Sequence, residues 1–174
     1  MDKKKKSPAE QDVRFVVFLD VDGVLNSRTS CARAPSEMYT GVDHLRIEVL
    51  AKAMQLNRVD GVVLTSTWKD LEQDHEDYIY LTDNLRKYGI KVLGKTEDES
   101  FFRREDGILK YLEEHPGIEE FIILDDQHFG FDDHTCLWEN YLDTQGIGIE
   151  HAIAASKTPT VTAILFLDGI KRYS

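Results

Sequence analysis

At 174 residues the chain has the length of one domain, long enough to bury a core and too short for two ordinary ones. Apolar residues at 41% and charged residues at 30% exclude a disordered or fibrous chain. The net charge of -11 excludes a general nucleic-acid binder, because that affinity comes from neutralising phosphates with Lys and Arg.

The first segment, residues 1–12, reads as a flexible basic tail built around Lys3–Lys6, and residues 13–174 as a single domain. No apolar stretch follows the basic start, so it does not read as a secretory signal, and no run approaches the roughly 18 apolar residues of a membrane span. Cys31 and Cys136 form neither a zinc pattern nor a disulfide framework and suit a reducing compartment. The expected location is cytoplasmic, or nuclear if the lysine run is an address.

The apolar run Phe15–Leu19 has the length of a strand buried on both faces of a parallel sheet. Leu45, Val49, Ala53 and Leu56 recur at helical spacing after Asp43, a possible N-cap, and Val62–Leu64 is a second strand. Tyr78, Leu81, Leu85 and Tyr88 mark a second helix stopped by Gly89, with a strand following before Thr96. A third helix carries Ile108, Leu109 and Leu112 and ends before His115-Pro116-Gly117, ahead of the strand Phe121–Leu124. Residues 150–156 read as a short helix, and the run Ala163–Leu167 as an outer strand ending in the turn Asp168-Gly169. Strands alternating with helices predict an α/β fold: a doubly wound, mostly parallel sheet with helices on both faces. In such a fold ligands bind beyond the carboxyl ends of the strands.

The residues at those ends carry the chemistry. Asp20 follows the first strand, Thr65 and Ser66 the second, and Asp125 and Asp126 the strand Phe121–Leu124. Carboxylates converging on one small volume need a cation to offset their repulsion, and an oxygen-only ligand set favours a hard ion such as Mg²⁺. Asp20 and Asp22 lie two apart, with Gly23 supplying a sharp turn. That spacing suits a division of labour, in which Asp20 attacks phosphorus in line and Asp22 protonates the leaving oxygen and then activates water. Trp68 and Trp138 read as packing residues, and His128 and His134 as solvated loop histidines.

These segments resemble the haloacid dehalogenase (HAD) superfamily of phosphatases, whose four short motifs are matched in order over residues 15–126. The resemblance implies that Asp20 is the nucleophile, Asp22 the acid/base and Thr65 the hydroxyl that binds phosphoryl oxygens. Gly23 and Ser66 beside them are expected to contact the substrate. It also implies a Mg²⁺ site made by Asp20, the backbone carbonyl of Asp22 and the pair Asp125-Asp126, with Asp126 favoured for the direct contact. The cation that neutralises the phosphoryl group is Arg104, Arg103 or Lys95, with Arg104 favoured by its place at the entrance of the helix before the acidic strand. More narrowly, the Asp20–Ser27 motif, Ser66–Lys69, Gly94–Thr96 and the Arg-led helix are similar to HAD-like domains of RNA repair proteins and to the phosphatase half of polynucleotide kinase-phosphatases. Lys69 stands where that group more commonly has arginine.

The stretches from Asn26 to Asp60 and from Trp68 to Thr96 leave no room for the cap domain with which many relatives close over small metabolites. The expected substrate is a phosphate on something large, such as a polynucleotide end, with no extended nucleic-acid track and no membrane; a nucleotidase and a non-catalytic binding scaffold are the alternatives. A phosphorylated receiver domain is disfavoured, since there the acidic pair follows the first strand and the phosphoacceptor comes later.

Overall fold

A computed structural model describes residues 12–98 and 102–174 of the chain, so the expected tail around Lys3–Lys6 lies outside the described residues. Among the described residues six strands form one sheet: β1 (Phe15–Leu19), β2 (Gly61–Leu64), β3 (Val92–Lys95), β4 (Glu120–Asp125), β5 (Tyr141–Asp143) and β6 (Ile153–Ala154). Their order is β3-β2-β1-β4-β5-β6, with every pairing parallel except that of β5 with β6. The helices are α1 (His44–Asn57), α2 (Glu76–Lys87), α3 (Arg104–Glu114), the single turn α4 (Thr135–Trp138) and α5 (Val161–Tyr173). This is the doubly wound α/β arrangement expected from the sequence.

The central strand shows why. All five residues of β1 are buried, and their side chains alternate between two cores. Phe15, Val17 and Leu19 pack with Leu50 and Ala53 of α1, Leu81 and Leu85 of α2, and Phe166 and Ile170 of α5. Val16 and Phe18 pack on the opposite face with Ile108 of α3, Leu137 of α4 and Tyr141 of β5. Between β1 and β2 the chain makes one loop and α1; between β2 and β3 it makes a short 3-10 turn and α2. Neither crossover carries a folded insert.

Local chemistry sets the helix ends. The His75 ring accepts a hydrogen bond from the Asp77 amide at the start of α2, Glu76 and Asp77 fill its first turn, and Arg86 and Lys87 fill its last. These charges complement the helix dipole. Gly89 follows with φ of 77°, the left-handed conformation that stops a helix. Asp43 precedes α1 as expected, but its carboxylate pairs with Arg46 and Ser30 and makes no cap bond. The buried face of α1 is formed by Ile47, Val49, Leu50, Ala53 and Met54, whereas Leu45 and Leu56 are exposed.

Two sequence expectations are corrected. The run Ala163–Leu167 is not an outer strand but the middle of α5. Thr160 caps that helix by accepting from the Ala163 amide at 3.1 Å, and its buried residues Ala163, Phe166, Gly169 and Ile170 recur at helical spacing. Ile164 and Leu165, which made the run look continuous, are about half exposed. Gly169 packs where α5 crosses α1, and a β-carbon there would lie 3.1 Å from Asn57 Nδ2 and in ordinary contact, 3.4 Å, with Ala53. The expected helix over 150–156 is instead a 3-10 turn, Ile149–His151, followed by β6. Four residues or fewer per element leave no helical period to read.

Phe166→Ala should therefore cost about 3–5 kcal/mol in urea denaturation, the range for emptying a buried aromatic site. Leu165→Ala should cost well under 1 kcal/mol. Equal losses would contradict the helical packing of α5.

Candidate functional site

Parallel pairing in register brings the chemistry together. Leu19 of β1 sits opposite Leu124 of β4, and the next amide, Asp20, donates to the Leu124 carbonyl at 2.9 Å. On the other side the Thr65 amide donates to the Leu19 carbonyl at 3.0 Å, extending the β1–β2 ladder past the named strands. Asp20, Thr65 and Asp125 thus emerge side by side at the carboxyl edge of the sheet, all three buried.

Oxygens of Asp20, Asp125 and Asp126 lie within 4.8 Å of one another, and among the described residues these three form the only cluster able to hold a metal ion. No histidine or cysteine belongs to it. One cation enters from α3: the Arg104 guanidinium is 2.5 Å from Asp125 and 3.2 Å from Asp20, with its side chain 6% exposed. The Phe129 ring lies over it at 4.3 Å. Arg103 points elsewhere, pairing with Asp106 and more distantly with Glu105. Lys95 ends β3 with its ammonium donating to the Lys69 carbonyl at 2.9 Å. Of the three cations considered from sequence, Arg104 is the one ion-paired with Asp20 and Asp125.

Three carboxylates against one guanidinium leave the pocket electrostatically unbalanced. Burial, reinforced by Asp125, Asp126 and Asp22, raises the Asp20 carboxyl well above the usual range despite Arg104. Burial likewise raises Asp125 to about 6, with Arg104 and the Gln127 amide opposing and Asp126 adding to the rise. Asp126, half buried, is also raised, chiefly by its burial. A bound cation would relieve all three, and the donor set is the oxygen-only one that hard divalent ions take. Asp125 already accepts from Arg104 and from the Gln127 amide at 3.1 Å, which leaves Asp126 the freer of the pair.

Among the described residues three buried side-chain polar atoms have no hydrogen-bond partner: Asp98 Oδ1 and, in the pocket, the Thr65 hydroxyl and Arg104 Nε. Leaving such groups unmet costs on the order of 1–3 kcal/mol each, so the presence of the last two beside Asp20 points to a polar ligand that satisfies them. Ser66 is used differently, its hydroxyl capping the 3-10 turn Thr67–Asp70 by accepting from the Trp68 amide at 3.4 Å.

Asp22 is held apart from the acidic cluster. Its carboxylate accepts from Trp68 Nε1 at 3.1 Å and from Asn26 Nδ2 at 2.9 Å, both neutral donors. Trp68 is fully buried, so the packing residue expected from sequence also aims a carboxylate. Asn26 is a bridge as well, accepting from the Gly23 amide at 3.0 Å and donating to the Thr40 carbonyl at 3.1 Å. Neither role was read from the sequence; in Asn26 the only signal was its position four residues after Asp22. The Gly23 turn, φ 82°, is clamped by the loop after β5. Its carbonyl accepts from the Thr144 hydroxyl at 2.8 Å and from the Gly148 amide at 3.0 Å. A β-carbon on Gly23 would come within 2.6 Å of Asp126, so glycine lets the two acidic segments close up.

Lys69 was noted from sequence only as a departure. It is 7% exposed and pairs at 3.0 Å with Asp98, whose side chain is itself nearly buried.

A mostly parallel sheet with an Asp-x-Asp-Gly turn after its central strand, an acidic pair after the neighbouring strand and a buried cation between them defines a HAD-like domain. Residues 16–152 match the family described as the HAD domain in Swiss Army Knife RNA repair proteins, and the chain belongs to that family. No curated protein matches the chain at significant similarity. Membership places it in the HAD superfamily of hydrolases. Among the described residues no helix is long and apolar enough to cross a membrane.

The raised Asp125 carboxyl has a sign that can be checked in metal-free protein. Because its folded pKa exceeds the unfolded value, the folded state takes up the proton first as pH falls from about 6 toward 3.8, and stability is lost as pH rises through that window. In EDTA, the thermal stability of wild type relative to Asp125→Asn should therefore rise on going from pH 7 to pH 5. A relative stability that falls on acidification would contradict this picture of the pocket.

Proposed function

We propose that the protein is a Mg²⁺-dependent phosphomonoester hydrolase that works through an aspartyl-phosphate on Asp20 and acts on a large substrate, specifically a polynucleotide end. The observation that carries this reading is the pair of unmet buried donors, the Thr65 hydroxyl and Arg104 Nε, flanking Asp20. They are placed to receive the oxygens of a phosphoryl group at the attacking carboxylate.

Asp20 is the nucleophile in this scheme. Its oxygen forms a bond to phosphorus while the bond from phosphorus to the leaving oxygen breaks. Asp22 gives its proton to that leaving oxygen. It then takes a proton from the water whose oxygen attacks the phosphoryl group, returning Asp20 as a free carboxylate and releasing inorganic phosphate. Trp68 and Asn26 hold Asp22 in place for both transfers. Arg104 and Thr65 bind the phosphoryl oxygens. Asp20, Asp126 and the backbone carbonyl of Asp22 would hold Mg²⁺, with Asp125 beside them. When bound, the ion would offset the carboxylates and the charge on the phosphoryl oxygens.

The open site supports the large substrate. Asp22, Gly23 and Asp126 line a solvent-connected cleft of about 860 Å³, and among the described residues no cap closes over it. The RNA repair proteins that give the family its description point the same way.

The test is phosphate release, with Mg²⁺ and with EDTA, from an aryl phosphate, mononucleotides and 3′- and 5′-phosphorylated oligonucleotides. Release should require Mg²⁺ and favour an oligonucleotide end. Asp20→Asn should abolish turnover, and Asp22→Asn should lower it by about 10²–10⁴. Turnover near the wild-type level in Asp20→Asn would overturn the covalent route, and preference for mononucleotides would make the protein a nucleotidase.

A further inference from the structure

The cleft beside Asp22 is where the leaving group must sit, because Asp22 protonates the departing oxygen and Asp20 is buried behind it. Ser27, Thr29, Thr40 and Gln145 are among its walls, and of the described residues His151 is the one aromatic ring that lines it. With no Phe, Tyr or Trp platform there among the described residues, recognition through the sugar-phosphate backbone is favoured.

Two arginines line this cleft, and they differ sharply. Arg46 is 14% exposed and fully engaged, paired with Glu150 at 2.8 Å and Asp43 at 2.9 Å and donating to the Ile147 carbonyl at 2.9 Å. Arg28 is exposed and has no hydrogen-bond or ion-pair partner among the described residues. The backbone that carries it is nonetheless fixed. Arg28 and Thr29 are the central residues of a turn closed by the Ser30 amide on the Ser27 carbonyl at 3.0 Å and by the Ser27 amide on the Ser30 hydroxyl at 2.9 Å. That hydroxyl in turn donates to Asp43, at the start of α1. A rigid turn thus presents one uncommitted guanidinium to the leaving-group side of an otherwise acidic site.

We propose that Arg28 binds a second phosphate of the substrate, the phosphodiester next to the terminal monoester, and so makes the enzyme select a phosphorylated strand end over a phosphorylated mononucleotide. The inference rests on the phosphatase reading above. A polynucleotide end always carries such an anion one nucleotide from the reacting phosphate. A mononucleotide or an aryl phosphate lacks it, and a phosphopeptide has none at a fixed spacing.

The test compares a dinucleotide bearing a terminal phosphate with the same molecule whose internal linkage is a neutral methylphosphonate, using whichever end, 3′ or 5′, the wild type accepts. In wild type kcat/KM should be about tenfold higher for the charged linkage, the scale of a charge-assisted hydrogen-bonded pair. In Arg28→Gln that ratio should collapse toward one. Because the ratio is taken within each protein, general damage to the variant cancels. An unchanged ratio in Arg28→Gln, or a wild type indifferent to the linkage while cleaving aryl phosphate, would overturn the role of Arg28 and leave the phosphatase reading standing. Failure to cleave even aryl phosphate would defeat both.

Discussion

The structure turns on a buried charge problem at the meeting of β1 and β4. In-register pairing forces the residues at the ends of these strands, Asp20 and Asp125, to emerge side by side out of water. Two buried carboxylates cannot both be ionised there without compensation. Arg104, the first residue of α3, reaches both and is itself covered by Phe129. A single guanidinium cannot balance three acids, which is why burial still raises Asp20, Asp125 and Asp126. A bound cation would relieve that imbalance, and the oxygen-only donor set fits one.

Around this centre the fold separates two carboxylates only two residues apart. Asp20 lies in the buried acidic cluster, while Asp22 turns out toward the cleft and is held by neutral donors from Trp68 and Asn26. Different environments let like groups take different roles, and in the proposed mechanism one is the nucleophile and the other the proton carrier. The separation depends on the Gly23 turn and on the loop after β5, whose Thr144 and Gly148 fasten that turn from a segment more than a hundred residues away in sequence.

Much of this was legible in the sequence because the informative features were local. The run Phe15–Leu19 and the acids after it declare a buried parallel strand and the acidic cluster at its carboxyl end, and Arg104 was favoured by its place at the start of a helix. What stayed hidden was of two kinds. The five apolar residues of Ala163–Leu167 satisfy a strand and a helix equally, and only the longer spacing to Ile170 and the Thr160 cap separate them. The parts played by Trp68 and Thr144 come from hydrogen bonds between segments distant in sequence, and that of Asn26 from a local turn whose geometry its residue type alone does not declare. The short strands β5 and β6 and the turn Ile149–His151 are too brief to show a period.

The covalent role of Asp20 is the claim on which the functional account stands, and trapping the intermediate tests it most directly. Asp22→Asn protein, incubated with Mg²⁺ and an aryl phosphate whose leaving group needs no proton, should accumulate phosphoryl-enzyme because the water attack is slowed. Acid quenching, proteolysis and mass spectrometry should then find the phosphoryl group on Asp20. Phosphate release with no phosphoryl group on any carboxylate, or with the group on a different residue, would contradict the account.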